Sequence, residues 1–449
     1  MFKIFLKNEG ILLSSVLKWL FLAVVTGVLT GSVVGVFLIT LYNAIDYVNA
    51  LPSFWKYALI PAGLFLSVLS IKKICPEAAG HGTDKVIAAI HDRWGRIPDL
   101  VVPVKIFSTL TTLSVGGVVG TEGPSSQIGG ALMSWFSDVF KCREHVRRKL
   151  VICGVSGALA AVFGAPIAGA VFGIEVLFVG EMFYGALLPA IVTGTTAYYI
   201  CLLLGVPYAV PNVHVPVLNA ETVLWCIAAA VFFAGVSIFH IACFNFIEKT
   251  VKKLNFSFVN NTLIAAFVLC LTLFFSGETY LGMGEKGLNV FLAGGFAPWY
   301  AFALKSFLLA VTLSGGGSGG VLTPTFYIGA AAGALFAQTF GLNTGFFAAL
   351  GFVGLIAGTV NTPLSALILA MELFGASIAP YAALVCVFSY MLSGNRSLYP
   401  SQITARPKAD DFILKATGGG NERKTSRKKK NHPKRQMIKN RIKPKKLLQ

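Results

Sequence analysis

The chain has 449 residues, of which 55% are hydrophobic and only 12% charged, with a mean hydropathy of +0.73. A soluble globular domain carries about 25% charged residues, so this composition excludes an ordinary soluble fold and predicts a helical chain embedded in lipid. The formal net charge is +18, but residues 401–449 hold 16 Lys plus Arg against 3 Asp plus Glu, so a surplus of +13 belongs to the tail and not to the body.

In chain order, residues 1–11 read as a short cytoplasmic N-terminus. The apolar run at 12–41 is too long for a signal peptide and reads as a retained first membrane helix. A span needs about 20 apolar residues; 187–206, 223–247 and the stretch 336–392 also satisfy this. Other segments, such as 106–119 and 302–313, are shorter or cut by Gly and Pro. Such interrupted segments predict discontinuous helices lining a cavity. One membrane domain is therefore expected over 12–400. The tail at 401–449 contains Gly418-Gly419-Gly420 and then Lys/Arg-rich sequence without hydrophobic period, which predicts a disordered cytoplasmic segment beside anionic lipid and not a nucleic-acid-binding one. The eight cysteines are scattered without metal spacing and read as small buried hydrophobes. No cofactor is expected.

An internal repeat organises the membrane domain. Lys105-Ile-Phe-Ser-Thr-Leu-Thr-Thr-Leu-Ser-Val-Gly-Gly is matched 200 residues later by Lys305-Ser-Phe-Leu-Leu-Ala-Val-Thr-Leu-Ser-Gly-Gly-Gly, and the match runs on through Gly120/Gly320, Pro124/Pro324, Ile128/Ile328 and Gly129/Gly329. Downstream, Pro166 precedes Glu175 as Pro363 precedes Glu372, each by nine residues. Duplicated halves, here about 12–205 and 206–400, are typical of transporters with the substrate site where the halves meet.

An anion within a membrane needs hydrogen-bond donors without a full positive charge to trap it. Helix N-termini supply free N–H groups and a partial positive charge, glycine lets the backbone approach the ion, and proline is tolerated in the first turn. Three segments fit: Gly80-His81-Gly82-Thr83-Asp84, Gly120-Thr121-Glu122-Gly123-Pro124 and Gly319-Gly320-Val321-Leu322-Thr323-Pro324. Glu122 is an ionisable residue at membrane depth, a functional position by default. Its carboxylate can take an anion's place and act as a gate that protonation or displacement opens. Leu322 stands at the matching point of the other half, so the carboxylate is not a requirement of the repeat. Glu175 and Glu372 read as partners of neighbouring backbone groups. Lys105 and Lys305 either add positive potential near the path or snorkel to an interface. His91, His145 and His240 have no ligand spacing. An enzyme using Glu122 as general acid or base would need a nucleophile or metal cluster that the sequence does not offer, and a cation transporter would need clustered carboxylates at mid-membrane.

Gly120-Thr121-Glu122-Gly123-Pro124 resembles the Gly-Arg-Glu-Gly-Pro motif of the CLC chloride channel and proton/chloride antiporter family. Gly319 to Pro324 resembles that family's Gly-x-Phe-x-Pro loop, Gly80-His81-Gly82 its Gly-Ser-Gly-Ile-Pro loop, and Ser397-Leu398-Tyr399 the region of its anion-binding tyrosine. The resemblance covers about 390 residues. It implies an all-α polytopic membrane protein with inverted repeats of tilted, broken helices. It further implies a homodimer with one path per subunit, both termini cytoplasmic, in a bacterial inner membrane, without a regulatory nucleotide-binding module. Glu122 would be the gate, the backbone around Gly80, Gly82, Gly120, Thr121, Gly123, Gly320, Val321 and Leu322 would line the path, and Tyr399 would donate its hydroxyl to a chloride ion. Three positions depart from the pattern: His81 replaces the family's central serine, Leu322 its phenylalanine, and Val176 the inner glutamate of many antiporters. The last favours a passive chloride channel over a proton-coupled antiporter, with nitrate or fluoride as more distant substrates; the Gly-Glu-Gly-Pro pattern speaks against a fluoride specialist.

Overall fold

The computed structural model describes residues 2–208 and 212–408, without the side chains of 2–12. The basic tail beyond 408, expected to be disordered, lies outside the described residues. Among the described residues, two series of eight α-helices follow one another. The first is α1 (Phe2–Ala50), α2 (Ser53–Ile74), α3 (Thr83–Asp92), α4 (Val101–Leu113), α5 (Glu122–Val139), α6 (Glu144–Phe163), α7 (Pro166–Glu175) and α8 (Leu187–Leu203). The second is α9 (Ala220–Leu254), α10 (Phe258–Ser276), α11 (Glu285–Leu292), α12 (Ala301–Ser314), α13 (Leu322–Phe340), α14 (Thr344–Val360), α15 (Pro363–Phe374) and α16 (Ala379–Leu392). Five of the described segments are long and apolar enough to cross a membrane: Leu13–Ala50, Ser53–Ile74, Tyr184–Leu203, Ala220–Leu254 and Phe258–Ser276.

The hydrophobic stretch 336–392 is not a set of long spans. It breaks at Gly341 (φ 66°) and at Asn361 (φ 61°), both left-handed, then at Gly375 (φ 91°). A left-handed Gly or Asn ends a helix because the turn it makes lets the last carbonyls find other donors. Two residues after Asn361 the chain starts afresh at Pro363, the first residue of α15, where a missing N–H costs nothing.

The halves meet through reciprocal contacts. Gly120 N donates to Gly320 O (2.7 Å) and Gly320 N to Gly120 O (2.6 Å). Val118 N donates to Thr312 Oγ1 (3.2 Å), and Ser318 N to Thr112 Oγ1 (3.1 Å). Contacts in which i meets j and j meets i mark a two-fold relation. The ends of α7 and α15 obey it too. Glu175 accepts from Leu364 N (3.0 Å), Ser365 N (2.7 Å) and the Ser365 hydroxyl, while Glu372 accepts from Ile167 N (3.0 Å) and Ala168 N (2.8 Å). Each carboxylate thus satisfies the free N–H groups at the start of the other half's helix, the role read for it in the sequence. Glu175→Ala should lower stability by about 1–3 kcal/mol for each buried N–H left unpaired, measured as a fall in the thermal unfolding midpoint of the detergent-solubilised protein.

Small residues let these helices approach. A methyl group on Gly129 of α5 would collide with the Gly154 carbonyl of α6, and one on Gly329 of α13 with the Gly351 carbonyl of α14. Close backbone contact at small residues is how membrane helices gain packing energy in lipid. At the end of the described chain, a two-residue parallel pairing joins β1 (Phe178–Val179) to β2 (Ile403–Thr404) and anchors the segment that carries Tyr399.

Candidate functional site

The three glycine-rich loops come together. Gly82 (φ 85°) needs the left-handed conformation only glycine adopts readily, and it packs so closely that a methyl group there would strike the Gly123 carbonyl. A methyl on Gly123 would strike the His81 carbonyl and lie 2.8 Å from Gly320 Cα. Thus Gly82, Gly123 and Gly320 share one point, next to the Gly120–Gly320 bridge. Thr121 and Val321 are the residues just before α5 and α13; Val321 and Leu322 are buried at 1% and 0% exposure.

Glu122 is the first residue of α5 and is buried. Its carboxylate does not point to a surface. It accepts a hydrogen bond from Thr323 N (3.1 Å) and another from the Thr323 hydroxyl. The carboxyl group therefore lies on a free N–H in the first turn of α13, a position where the helix dipole favours an anion. Sequence reasoning did not single out Thr323 as the carboxylate's partner, because the contact joins residues 201 positions apart.

A second layer holds Tyr399. Asp84, at the start of α3, accepts from Ser401 N (2.7 Å) and Ser401 Oγ (2.9 Å). Tyr399 N donates to Ser397 Oγ (2.9 Å), and Leu398 N to Thr359 O (2.9 Å). Gln402 Nε2 donates to Val176 O and Val360 O, both at 2.8 Å, and Asn361 Nδ2 to Arg396 O (3.1 Å). The Tyr399 ring, 1% exposed, lies 5.5 Å from the His81 ring. Tyr399 Oη and His81 Nδ1 are both shut off from solvent without a hydrogen-bond partner, as are Thr83 Oγ1 and Gln127 Oε1 in the adjoining segments. Buried polar groups are normally paired, and these four side chains lie close to one another around the Gly80–Thr83 loop.

Lys105 and Lys305 neither snorkel nor stand free. Both are fully buried. Lys105 Nζ donates to Ala78 O (3.0 Å) and Gly80 O (2.6 Å); Lys305 Nζ donates to Tyr280 O (3.1 Å) and Gly282 O (2.9 Å). Each clamps the loop ahead of a short helix, and in doing so reveals a repeat copy that the 200-residue offset concealed: Gly282-Met283-Gly284 corresponds to Gly80-His81-Gly82 at an offset of 202. Extending the comparison upstream with a two-residue gap would have found it. This copy borders a cavity of about 500 Å³ that also presents Asp46, Lys56, Glu278 and Glu285. Lys56, itself buried, pairs there with Glu278.

A match to the voltage gated chloride channel family covers residues 62–394. Over 410 residues, 88% of this chain and 89% of the relative, the sequence is 35% identical to the chloride/fluoride channel protein of Pseudomonas syringae pv. tomato. It is 28% identical over 399 residues to the H(+)/Cl(-) exchange transporter ClcA of Vibrio cholerae serotype O1, covering 79% of this chain and 81% of that one. In three dimensions the chain resembles the crystal structure of a CLC-type fluoride/proton antiporter with a TM-score of 0.81 at 26% identity, over 86% of this chain and 98% of the other. With more than half of its length matched by the family and a mainly helical fold shared with a solved member, the chain belongs to the voltage gated chloride channel (CLC) family.

Proposed function

We propose that this CLC-type anion transporter exchanges a small anion, chloride or fluoride, for protons, with Glu122 as the gate. The observation that carries the proposal is the seat of the Glu122 carboxylate on Thr323, at the convergence of both halves. In that seat the ionised side chain satisfies the donors an anion would use. Protonation removes its charge, weakens those hydrogen bonds and lets an anion displace it. A group that alternates between holding a proton and yielding to an anion couples the two movements.

The preference for a passive channel rested on Val176 alone, and the relatives do not support it: they include a protein named as an exchanger and a structure named as an antiporter, beside one named as a channel protein. Two of the three names also carry fluoride, which argues for fluoride as a substrate against the expectation from the Gly-Glu-Gly-Pro pattern. The lining by Gly80, His81, Gly82, Gly120, Thr121, Gly123, Gly320, Val321, Leu322 and Tyr399 is part of the same proposal. So are the homodimer with one path per subunit, the cytoplasmic termini and the bacterial inner membrane.

Liposomes holding the purified protein and loaded with chloride or fluoride test it. The expected result is anion efflux that drives protons uphill in a fixed ratio. Anion efflux with no uphill proton movement would establish a passive channel instead, and an intact anion gradient would overturn transport of that anion.

A further inference from the structure

We infer that His81 is a second proton-bearing group on the anion path, its imidazole taking up a proton together with the anion that lies between it and Tyr399. The inference rests on the exchange reading above and supplies what Val176 does not, a second titratable side chain close to the gate.

The geometry comes first. His81 Nδ1 and Tyr399 Oη are both buried and unpaired, on rings 5.5 Å apart and inclined by 35°. Phe244 of α9 also packs edge-on to the imidazole, with ring centres 6.3 Å apart. The His81 backbone carbonyl abuts Gly123, the residue after the gate. A neutral imidazole offers one N–H; with a second proton both ring nitrogens donate and the ring carries a full positive charge. Tyr399 Oη supplies a further donor. An anion held by these groups favours the charged ring, so anion binding and proton uptake by His81 are linked at equilibrium. No covalent bond changes beyond the N–H itself: the imidazole takes a proton from water when the site fills and returns it to water when the site empties.

The other charged groups around the ring are engaged with partners or, in the case of Lys85, exposed. On the adjoining α3, Asp84 is bound to Ser401, and Lys85 is exposed. On α4 the Lys105 ammonium is bound to Ala78 O and Gly80 O. On α5 Glu122 is bound to Thr323. On α9 Glu248 is paired with Lys252 at 2.7 Å. Glu175, next to Val176, is committed to the start of α15. His240 is the informative control. It is fully buried, also has an unpaired Nδ1, and lies one helical turn before Phe244, but its Nε2 faces Thr325 Oγ1 (3.4 Å) on α13.

The test is calorimetric titration of the purified full chain with chloride, in buffers of different protonation enthalpy, at about pH 5 and about pH 8, either side of the usual histidine range. The Glu122→Gln background removes the gate's own proton. A group whose charged form is favoured by the anion gains protons on binding. Anion affinity then rises as pH falls, by up to about tenfold per pH unit. Glu122→Gln should therefore still take up as much as one proton per chloride. Adding His81→Gln should abolish both the uptake and the pH dependence, whereas adding His240→Gln should leave them. Glu122→Gln that binds chloride with no proton uptake, or binds none at either pH, overturns the inference. So does uptake that survives His81→Gln. The Glu122→Gln measurement decides the matter even if the double variants do not fold. Loss of uptake in Glu122→Gln beside uptake in the wild type would leave the gate reading standing, whereas wild-type exchange that persists in Glu122→Gln would sink the gate reading without touching His81.

Discussion

Glu122→Gln is expected to keep anion flux, at or above the wild-type rate, while uphill proton movement disappears. Glutamine has nearly the shape of glutamate and retains an oxygen to accept from Thr323 N and its hydroxyl. It cannot carry a proton to and fro. It also holds its seat less firmly. A hydrogen bond to a charged group contributes about 1.5–3 kcal/mol against about 0.5–1.5 for a neutral one. A loss of roughly 1.4 kcal/mol makes displacement by an anion on the order of tenfold easier. Simultaneous recording of halide efflux and luminal pH in liposomes reads both quantities, and Glu122→Ala, which removes the acceptor altogether, should behave likewise with faster flux. Proton movement at the wild-type ratio in either variant would show that the exchanged proton travels without this carboxylate.

Much of this arrangement was legible before any coordinates, and the reason is duplication. The register of Lys105 with Lys305 and of Gly120 with Gly320 placed two loops at equivalent points. Two equivalent helix starts related by a two-fold lie at equal distances from its axis, and in the structure they meet there, where Gly120 and Gly320 exchange hydrogen bonds. What escaped was of three kinds. Hydropathy sums side chains and ignores backbone direction, so 336–392 looked continuous although Gly341, Asn361 and Gly375 turn the chain. α2 was passed over because Lys56, Pro61, Ser67 and Ser70 dilute its apolar character, yet Lys56 is neutralised by Glu278 and both serines are buried. Pairings between distant residues leave no local trace: Thr323 under Glu122, Ser401 on Asp84, and the two lysines whose ammonium groups bind loop carbonyls. The lysines were weighed as a source of field or as interfacial anchors. The structure gives them a different task, holding the loops at Gly80 and Gly282 in place.

Gly123→Ala should cut transport by about ten- to a hundredfold without unfolding the protein. At this residue three stretches of main chain converge, and the one methyl group added would meet the His81 carbonyl and, at 2.8 Å, Gly320 Cα. Both neighbours are backbone, so no side-chain rotation relieves the clash. Overpacking of this kind costs about 1–3 kcal/mol, and the strain is relieved only by parting the loops that define the anion path. Separation by even a fraction of an ångström lengthens the donors' reach to the ion and loosens the seat of Glu122 on Thr323. Halide efflux should fall by at least about tenfold for each 1.4 kcal/mol of strain that the loops absorb, with the protein still monodisperse in detergent and its thermal midpoint lowered only modestly. Gly235→Ala is the matched control. It lies within α9, where an added methyl meets nothing within 4 Å, and alanine there should stabilise the helix by about 0.5–1 kcal/mol with flux unchanged. Wild-type flux through Gly123→Ala would mean that the loops at 80–84, 120–124 and 319–324 are not the walls of the path. The location of the anion route at the meeting of the two halves would then have to be abandoned.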